Sequence, residues 1–201
     1  MSVVASTDPR HRLQVIVAST RPGRSGPVVA NWFRDIAIAH DGFDVELTDL
    51  ATVDLPLLDE PGHPRFGNYQ HEHTVRWSAV VDAADAFVFV TPEYDYATPA
   101  SLMNALQVLA NEWAYKPVGF VSYGGISGGL RGVQMTKQVV TTLRMMPIPE
   151  AVVLPFFARQ VDAATGEFVP GKDSEVIASQ MLDELHRWSV ALAPLRQPQP
   201  V

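Results

Sequence analysis

The 201-residue chain is 47% apolar and 18% charged, the profile of one ordinary folded domain whose interior needs no disulfide or metal staple. Its 15 Lys and Arg stand against 22 Asp and Glu, a formal charge of −7, and no basic run occurs, which argues against a nucleic-acid or anionic-membrane binder. The lack of cysteine excludes disulfides, thiol catalysis, cysteine-ligated zinc and iron–sulfur clusters.

The first residues offer only Val3-Val4-Ala5 as an apolar stretch, too short for a secretory leader. The longest apolar candidate, 79–90, is broken by Asp82 and Asp85, well short of the roughly 18 residues of a membrane span. A cytoplasmic location is the expectation. Residues 1–11 read as a flexible tail, 12–192 as one domain, and 193–201, with Pro194, Pro198 and Pro200, as a second tail that cannot propagate a helix.

Within the domain, apolar runs alternate with helical patterns. Leu13 to Ala18 reads as a buried strand. Pro27 to His40 follows as a helix with proline at its first position, where the missing N–H costs nothing. Phe43 to Leu47 alternates as a strand, and 49–68 is a long polar loop bordering a second-substrate site or a partner subunit. Tyr69 to Ala83 is helical, and Ala86 to Thr91 is the most continuous buried strand. Thr98 is the expected cap of the next helix, with Pro99 at its first position and Leu102, Leu106, Leu109 and Trp113 near one face. Val118 to Ser122 is the fourth strand, a helix covers about 130–144, and 151–154 is a short fifth strand. Asp173 or Ser174 is the expected cap of a last helix packed through Val176, Ile177, Met181, Leu182, Leu185 and Trp188.

Five strands alternating with helices predict an α/β fold. Right-handed crossovers suggest a doubly wound five-stranded parallel sheet of order 2-1-3-4-5, with helices on both faces. Such sheets bind ligands beyond the carboxyl ends of their strands, near the switch point, so the loops after the first, third and fourth strands are the candidates.

The first of these, Ser19 to Gly26, sets hydroxyls, glycines, Arg21 and Arg24 against a helix N-terminus, where free amides and the helix dipole favour a phosphate. It lacks the Gly-Lys-Ser/Thr ending of a triphosphate-binding loop, and no Gly-x-Gly-x-x-Gly occurs in the chain. The second, Thr91 to Pro99, holds two tyrosines and two interior or flanking prolines, a stiff wall suited to stacking a flat ring. The third, Ser122 to Gly129, has four glycines that let a ligand approach the backbone. A phosphate site beside two planar-ring walls is the layout for a mononucleotide such as FMN.

Three segments carry a family resemblance: Ala18-Ser19-Thr20-Arg21-Pro22-Gly23-Arg24, Thr91-Pro92-Glu93-Tyr94-Asp95 and Ser122-Tyr123-Gly124-Gly125-Ile126-Ser127-Gly128-Gly129, supported by Glu112-Trp113 and Lys116-Pro117. In this order they resemble the NADPH-dependent FMN reductase family, over about 13–157. The resemblance implies a flavodoxin-like fold, FMN as cofactor, NADPH or NADH as reductant, and a flavin, quinone or azo compound as acceptor. It implies phosphate contacts from Ser19, Arg21, Ser25 and Gly26. It implies flavin-ring contacts from Pro92, Glu93, Tyr94 and Asp95, and from Ser122, Tyr123, Gly124 and Gly125. It also implies a homodimer or homotetramer. Asp95 stands where the family usually has Asn; a carboxylate only accepts hydrogen bonds, and beside the ring its charge would lower the flavin potential. Backbone amides around Gly124 and Gly125 are the expected stabilisers of negative charge on the ring edge, and no side-chain acid or base is required.

Other readings use other residues. Gly125-Ile126-Ser127-Gly128-Gly129 matches the Gly-x-Ser-x-Gly elbow of a hydrolase, with Asp162 or Asp173 and His186 downstream; against it stand the early end of the strand and the lack of an oxyanion motif. His63, His71, Glu72 and His73 suggest a metal site, but their spacing favours a solvated loop and helix start. A non-enzymatic FMN carrier or redox sensor would share the same three loops.

Overall fold

A computed structural model describes residues 10–162 and 164–197. Residues 1–9 of the expected N-terminal tail and 198–201 of the expected C-terminal tail lie outside them. Five parallel strands, β1 (His11–Val17), β2 (Phe43–Asp49), β3 (Ala86–Pro92), β4 (Pro117–Tyr123) and β5 (Met146–Leu154), form one sheet in the order β2-β1-β3-β4-β5. The flavodoxin-like order expected from the sequence is the one observed. β3 and β4 are buried along their whole length, which is why both read as unbroken apolar runs.

Helices α1 (Gly26–His40) and α6 (Lys172–Leu192) cover one face, where Phe33, Met181, Leu182 and Leu185 pack on β1, β3 and β4. Helices α3 (Glu72–Ala83), α4 (Ala100–Gln107) and α5 (Leu130–Thr142) cover the other. There Trp77, Phe87, Phe89, Trp113 and Phe120 form an aromatic cluster with ring centroids 4.9–6.2 Å apart. Each such buried side chain contributes on the order of 2–3 kcal/mol through the area it removes from water.

Several boundaries differ from expectation for identifiable reasons. The 49–68 segment is not structureless: Asp49 caps a single helical turn, α2 (Leu50–Val53), by accepting from the Ala51 amide at 3.0 Å, and Pro64–Phe66 form a 3-10 turn. Asn104 of α4 holds the stretch between them, donating to Pro56 O at 2.7 Å and accepting from the Leu58 amide at 3.0 Å. Thr98 does not cap α4; Pro99 precedes its first turn, and the Thr98 hydroxyl instead bonds Thr136 and Gly132 O of α5. α4 stops at Gln107, so Leu109 and Trp113 are buried beyond its end. β5 begins five residues earlier than expected, because an edge strand tolerates Pro147 and Pro149. In α6 the cap is Gly171, and Val176 and Ile177 face solvent at 57% and 42% exposure. The buried stripe runs through Ala178, Met181, Leu182, Leu185 and Ser189, a 3.6-residue face that begins one residue after the apolar Val176-Ile177 pair. Beyond it Ala193–Arg196 form a 3-10 turn, anchored where Arg196 pairs with Asp85 at 2.6 Å.

Lys116, just before β4, is 4% exposed, and its ammonium donates to Val81 O at 2.8 Å and Asp82 O at 2.9 Å, the last carbonyls of α3. Burial pushes its pKa down to about 8, against attraction from Asp82 that acts the other way. Between about 8 and the ordinary 10.5, the unfolded chain binds the proton that the folded chain has released. Stability therefore gains from this group as pH rises through that window. Lys116→Met is expected to lose about 1–3 kcal/mol at neutral pH through the two unmet carbonyls. The wild-type advantage should grow by on the order of 1–2 kcal/mol between pH 8 and 10. Urea unfolding of both proteins across that range measures it; parallel pH profiles would refute the assignment.

Candidate active site

Three loops meet at the carboxyl ends of β1, β3 and β4. The first ends at the N-terminus of α1. Ser25 is its cap residue, yet the Ser25 side chain makes no capping bond, and among the described residues the amides of Ser25 and Gly26 have no acceptor. Arg21 is exposed and makes no ion pair among the described residues. Arg24 is committed elsewhere, to Asp49 at the end of β2, where the same carboxylate caps α2. Ser19 is fully buried and shares a 2.6 Å hydrogen bond with the Tyr94 hydroxyl, which ties the first loop to the second.

The second loop turns at Tyr94–Ala97, with amide-to-carbonyl bonds of 3.0 and 2.9 Å in the two directions. Its central residues, Asp95 and Tyr96, both have positive φ, 49° and 68°. That is the pattern of the tight primed turns, which Asp tolerates better than most residues and Tyr does not. The Arg131 guanidinium stacks 3.9 Å from the Tyr96 ring centroid. Asp95 is exposed and its carboxylate has no partner among the described residues.

Glu93 joins the second loop to the third. Its carboxylate accepts from the Arg131 amide at 3.0 Å, the Gly132 amide at 3.4 Å, Ser127 Oγ at 3.1 Å and Arg131 Nη1 at 3.2 Å, with its side chain 9% exposed. α5 has Gly129 at its cap position, φ 88°, and no capping side chain of its own. Glu93 supplies that cap from across the site. The side chain expected at a ring is therefore engaged in bracing, and only the Glu93 backbone remains for a ligand.

The third loop also departs from expectation in detail. The Gly124 amide is used, donating to Leu154 O at 3.3 Å, while the amides of Gly125, Ile126 and Ser127 have no acceptor among the described residues. A Cβ at Gly125 would meet nothing within 4 Å, so the loop there faces open space. Ser122 is fully buried beneath the loop, under Gly129, and Tyr123 turns to the α1 face. There the Tyr123 hydroxyl would lie 3.0 Å from a Cβ at Gly26, below the first loop rather than against a ring. Burial raises its pKa well above the usual phenol range, with Tyr94 adding to the effect. Ser122 Oγ and Tyr123 OH are both buried with no hydrogen-bond partner among the described residues.

The hydrolase geometry is not met. Ser127 Oγ bonds Glu93, while His186 packs 5.8 Å from the His11 ring and 5.4 Å from the Phe43 ring, residues that open β1 and β2 at the far end of the sheet. Burial, with His11 and His40 beside it, lowers the His186 pKa. Asp162 instead accepts from the amides of Ala164 and Thr165 within its own turn. The histidines at 63, 71 and 73 also bond locally: His63 Nδ1 accepts from the Arg65 amide, and His71 and His73 both reach Asp59. Among the described residues no group of three or more potential ligands could hold a metal. No helix there is long and apolar enough to cross a membrane.

Comparison with known proteins agrees with this architecture. FerB, a flavoenzyme NAD(P)H:(acceptor) oxidoreductase from Paracoccus denitrificans, superimposes with a TM-score of 0.68 at 20% identity, over 90% of this chain and 98% of that one. An NAD(P)H-dependent FMN reductase of Schizosaccharomyces pombe is 41% identical over 148 residues, 72% of this chain and 74% of the relative. An NADPH:quinone oxidoreductase of Arabidopsis thaliana is 33% identical over 153 residues, 70% and 72% of the two chains. The sequence pattern of NADPH-dependent FMN reductase matches residues 11–159, which hold all five strands, helices α1 to α5 and the three site loops, and the chain belongs to that family.

Proposed function

We propose that this chain, an FMN-dependent NAD(P)H oxidoreductase, holds its cofactor across the three loops described above, with the phosphate on the first and the ring between the second and third. The residues present fit the group. Free amides at Ser25 and Gly26, the uncommitted Ser25 hydroxyl and the unpaired Arg21 form a donor set for a phosphate dianion at a helix N-terminus. Open space at Gly125 beside the free amides of residues 125–127 suits the edge of a flat, hydrogen-bonding ring. Bound FMN supplies the redox chemistry, taking hydride from NADPH or NADH and passing reducing equivalents to a flavin, quinone or azo acceptor in a ping-pong order.

The chain's own residues bind, orient and tune. Ser19 and Tyr94 fix the first two loops to each other, and Glu93 fixes the second to the third, so the donors keep their spacing before any ligand arrives. The free amides at Gly125, Ile126 and Ser127, rather than Gly124, stabilise negative charge at the ring edge. Pro92, Tyr94 and Asp95 supply the opposing wall. Ser122 and Tyr123 support the loops from beneath, and the unpaired Tyr123 hydroxyl lies under the phosphate turn. A cavity of about 360 Å³ between Thr20, α2 and the start of α4, walled by Leu55 and Leu57, borders the second-substrate side. Exposed Leu57, Leu58, Phe66 and Val75 offer an apolar surface to a second subunit in a homodimer or homotetramer.

The observation that carries this reading is the convergence of unpaired backbone donors from α1 and from the Gly125 loop at one end of the sheet. Purified protein mixed with FMN should quench flavin fluorescence and, anaerobically, oxidise only about one equivalent of NADPH or NADH per bound flavin until an acceptor such as a quinone or azo dye is added, after which oxidation should continue. Stoichiometric flavin binding with negligible reduction by either nucleotide would instead indicate an electron carrier.

Two substitutions separate the phosphate and ring halves of the site. Arg21→Ala should weaken FMN about 10- to 100-fold, the worth of a charge-assisted bond, and leave riboflavin affinity unchanged, because riboflavin has no phosphate. Equal losses for both flavins would remove Arg21 from the phosphate site. Gly125→Ala should leave stability within about 0.5 kcal/mol, since its Cβ meets no protein atom. It should nevertheless weaken both FMN and riboflavin by about tenfold or more by filling the space the ring needs. Unchanged affinity there would move the ring elsewhere.

A further inference from the structure

We propose that the adenylate half of the reducing pyridine nucleotide docks on Phe156 and Arg159, with its adenine stacked on the Arg–Phe pair and one of its phosphates held by the Arg159 guanidinium. The inference rests on the placement of FMN proposed above.

Backbone strain is the first observation. Phe156 has φ 49°, a left-handed conformation that bulky residues rarely adopt and that glycine would adopt freely. Its amide donates to Gly125 O at 2.8 Å and the Phe157 amide donates to Gly124 O at 3.1 Å. The turn is thus one hydrogen bond from the open glycine of the ring site. The strain does not serve burial, because the Phe156 side chain is 43% exposed. A phenyl ring held outward at the edge of a cofactor site, where glycine would make the same turn, points to a ligand that stacks.

The second observation is the guanidinium beside it. Arg159 lies 4.8 Å from the Phe156 ring centroid, and its amide donates to Phe156 O at 2.9 Å, so the two side chains are held as one platform. Guanidinium and phenyl planes both stack on a purine, and the guanidinium also grips phosphate oxygens.

Charge is the third. The chain carries a formal −7, which repels a polyanionic nucleotide unless its path is lined by cations. Among the arginines of the loops at this end, Arg24 is paired with Asp49 and Arg131 with Glu93. Arg21 is taken up by the flavin phosphate in the reading above. Arg159 makes no ion pair among the described residues and is exposed. A quinone acceptor is uncharged and has no use for a free guanidinium, whereas the reducing nucleotide brings its phosphates whatever the acceptor is.

Adenosine 2′,5′-bisphosphate carries the adenine and phosphates without the nicotinamide, so it tests the platform apart from turnover. Calorimetric titration of FMN-loaded protein should show Arg159→Ala weakening this ligand about tenfold, the lower range for an exposed charge-assisted contact. Phe156→Gly should weaken it as well while leaving the melting temperature equal or higher, because glycine relieves the left-handed backbone. In anaerobic reduction by NADPH, both variants should raise the apparent Kd and keep the limiting rate and FMN affinity. A smaller rise with NADH than with NADPH assigns the contact to the 2′-phosphate, and an equal rise assigns it to the pyrophosphate. Unchanged nucleotide affinity in both variants, with FMN still bound, overturns the proposal. Failure of the wild-type chain to bind FMN would instead strike the flavin reading, and titration of the flavin-free protein with the bisphosphate would still score the platform.

Discussion

The site depends on one buried carboxylate placed where a helix needs negative charge. α5 starts from Gly129 in a left-handed conformation and brings no capping side chain, so its first amides would be left without acceptors. Glu93, from the loop after the neighbouring strand, accepts from two of those amides, from Ser127 and from the Arg131 guanidinium. The α5 dipole and the Arg131 guanidinium offset the cost of holding this carboxylate at 9% exposure. The contact does more than end a helix. It sets the separation between the two loops proposed to sandwich the ring, and Thr98 to Gly132 and Thr136 repeats the link one turn further along. The close approach this requires is visible at Gly132, where a Cβ would come within 3.0 Å of Ala97 O.

A second link completes the frame. Ser19 and Tyr94 join the phosphate loop to the same second loop, and Arg24 with Asp49 joins it to α2. Loop positions are thereby fixed by side chains from neighbouring loops rather than by any one segment's own propensity. Preorganised donors lose little on meeting a ligand, which is what a site made mostly of backbone amides requires.

This explains how far the sequence could be read. The strands were legible as apolar runs, since β3, β4 and the Leu13–Val17 part of β1 are buried and mostly apolar, and their order followed from right-handed crossovers. The site loops stood out because serine, arginine and glycine are costly choices without a reason at strand ends. The partners of individual side chains were not legible. Thr98 before Pro99 has the composition of a helix cap, yet its hydroxyl is drawn to α5, 34 residues away in Gly132. Glu93 sits in a loop that faces the proposed ring, yet its carboxylate is turned to a helix end. Ser122 and Tyr123 end a strand, so consecutive side chains leave on opposite faces. Which face is which depends on register with β3 and β5, and no local pattern reports that. The Gly124 amide was lost to Leu154 for the same reason.

Phe156 lies outside the family's three motifs, and only its backbone angle singles it out. Nothing in the sequence separates it from its neighbour Phe157, which is buried at 7% exposure against the rings of Tyr123 and Phe168. The two residues divide the work of one turn. Phe157 anchors the segment in the interior, and this anchor, with the bonds to Gly124 and Gly125, holds Phe156 outward in a conformation it would not otherwise keep. The glycine loop is thus supported from β3 by Glu93 and from β5 by this turn, so a force on either support reaches the same backbone amides.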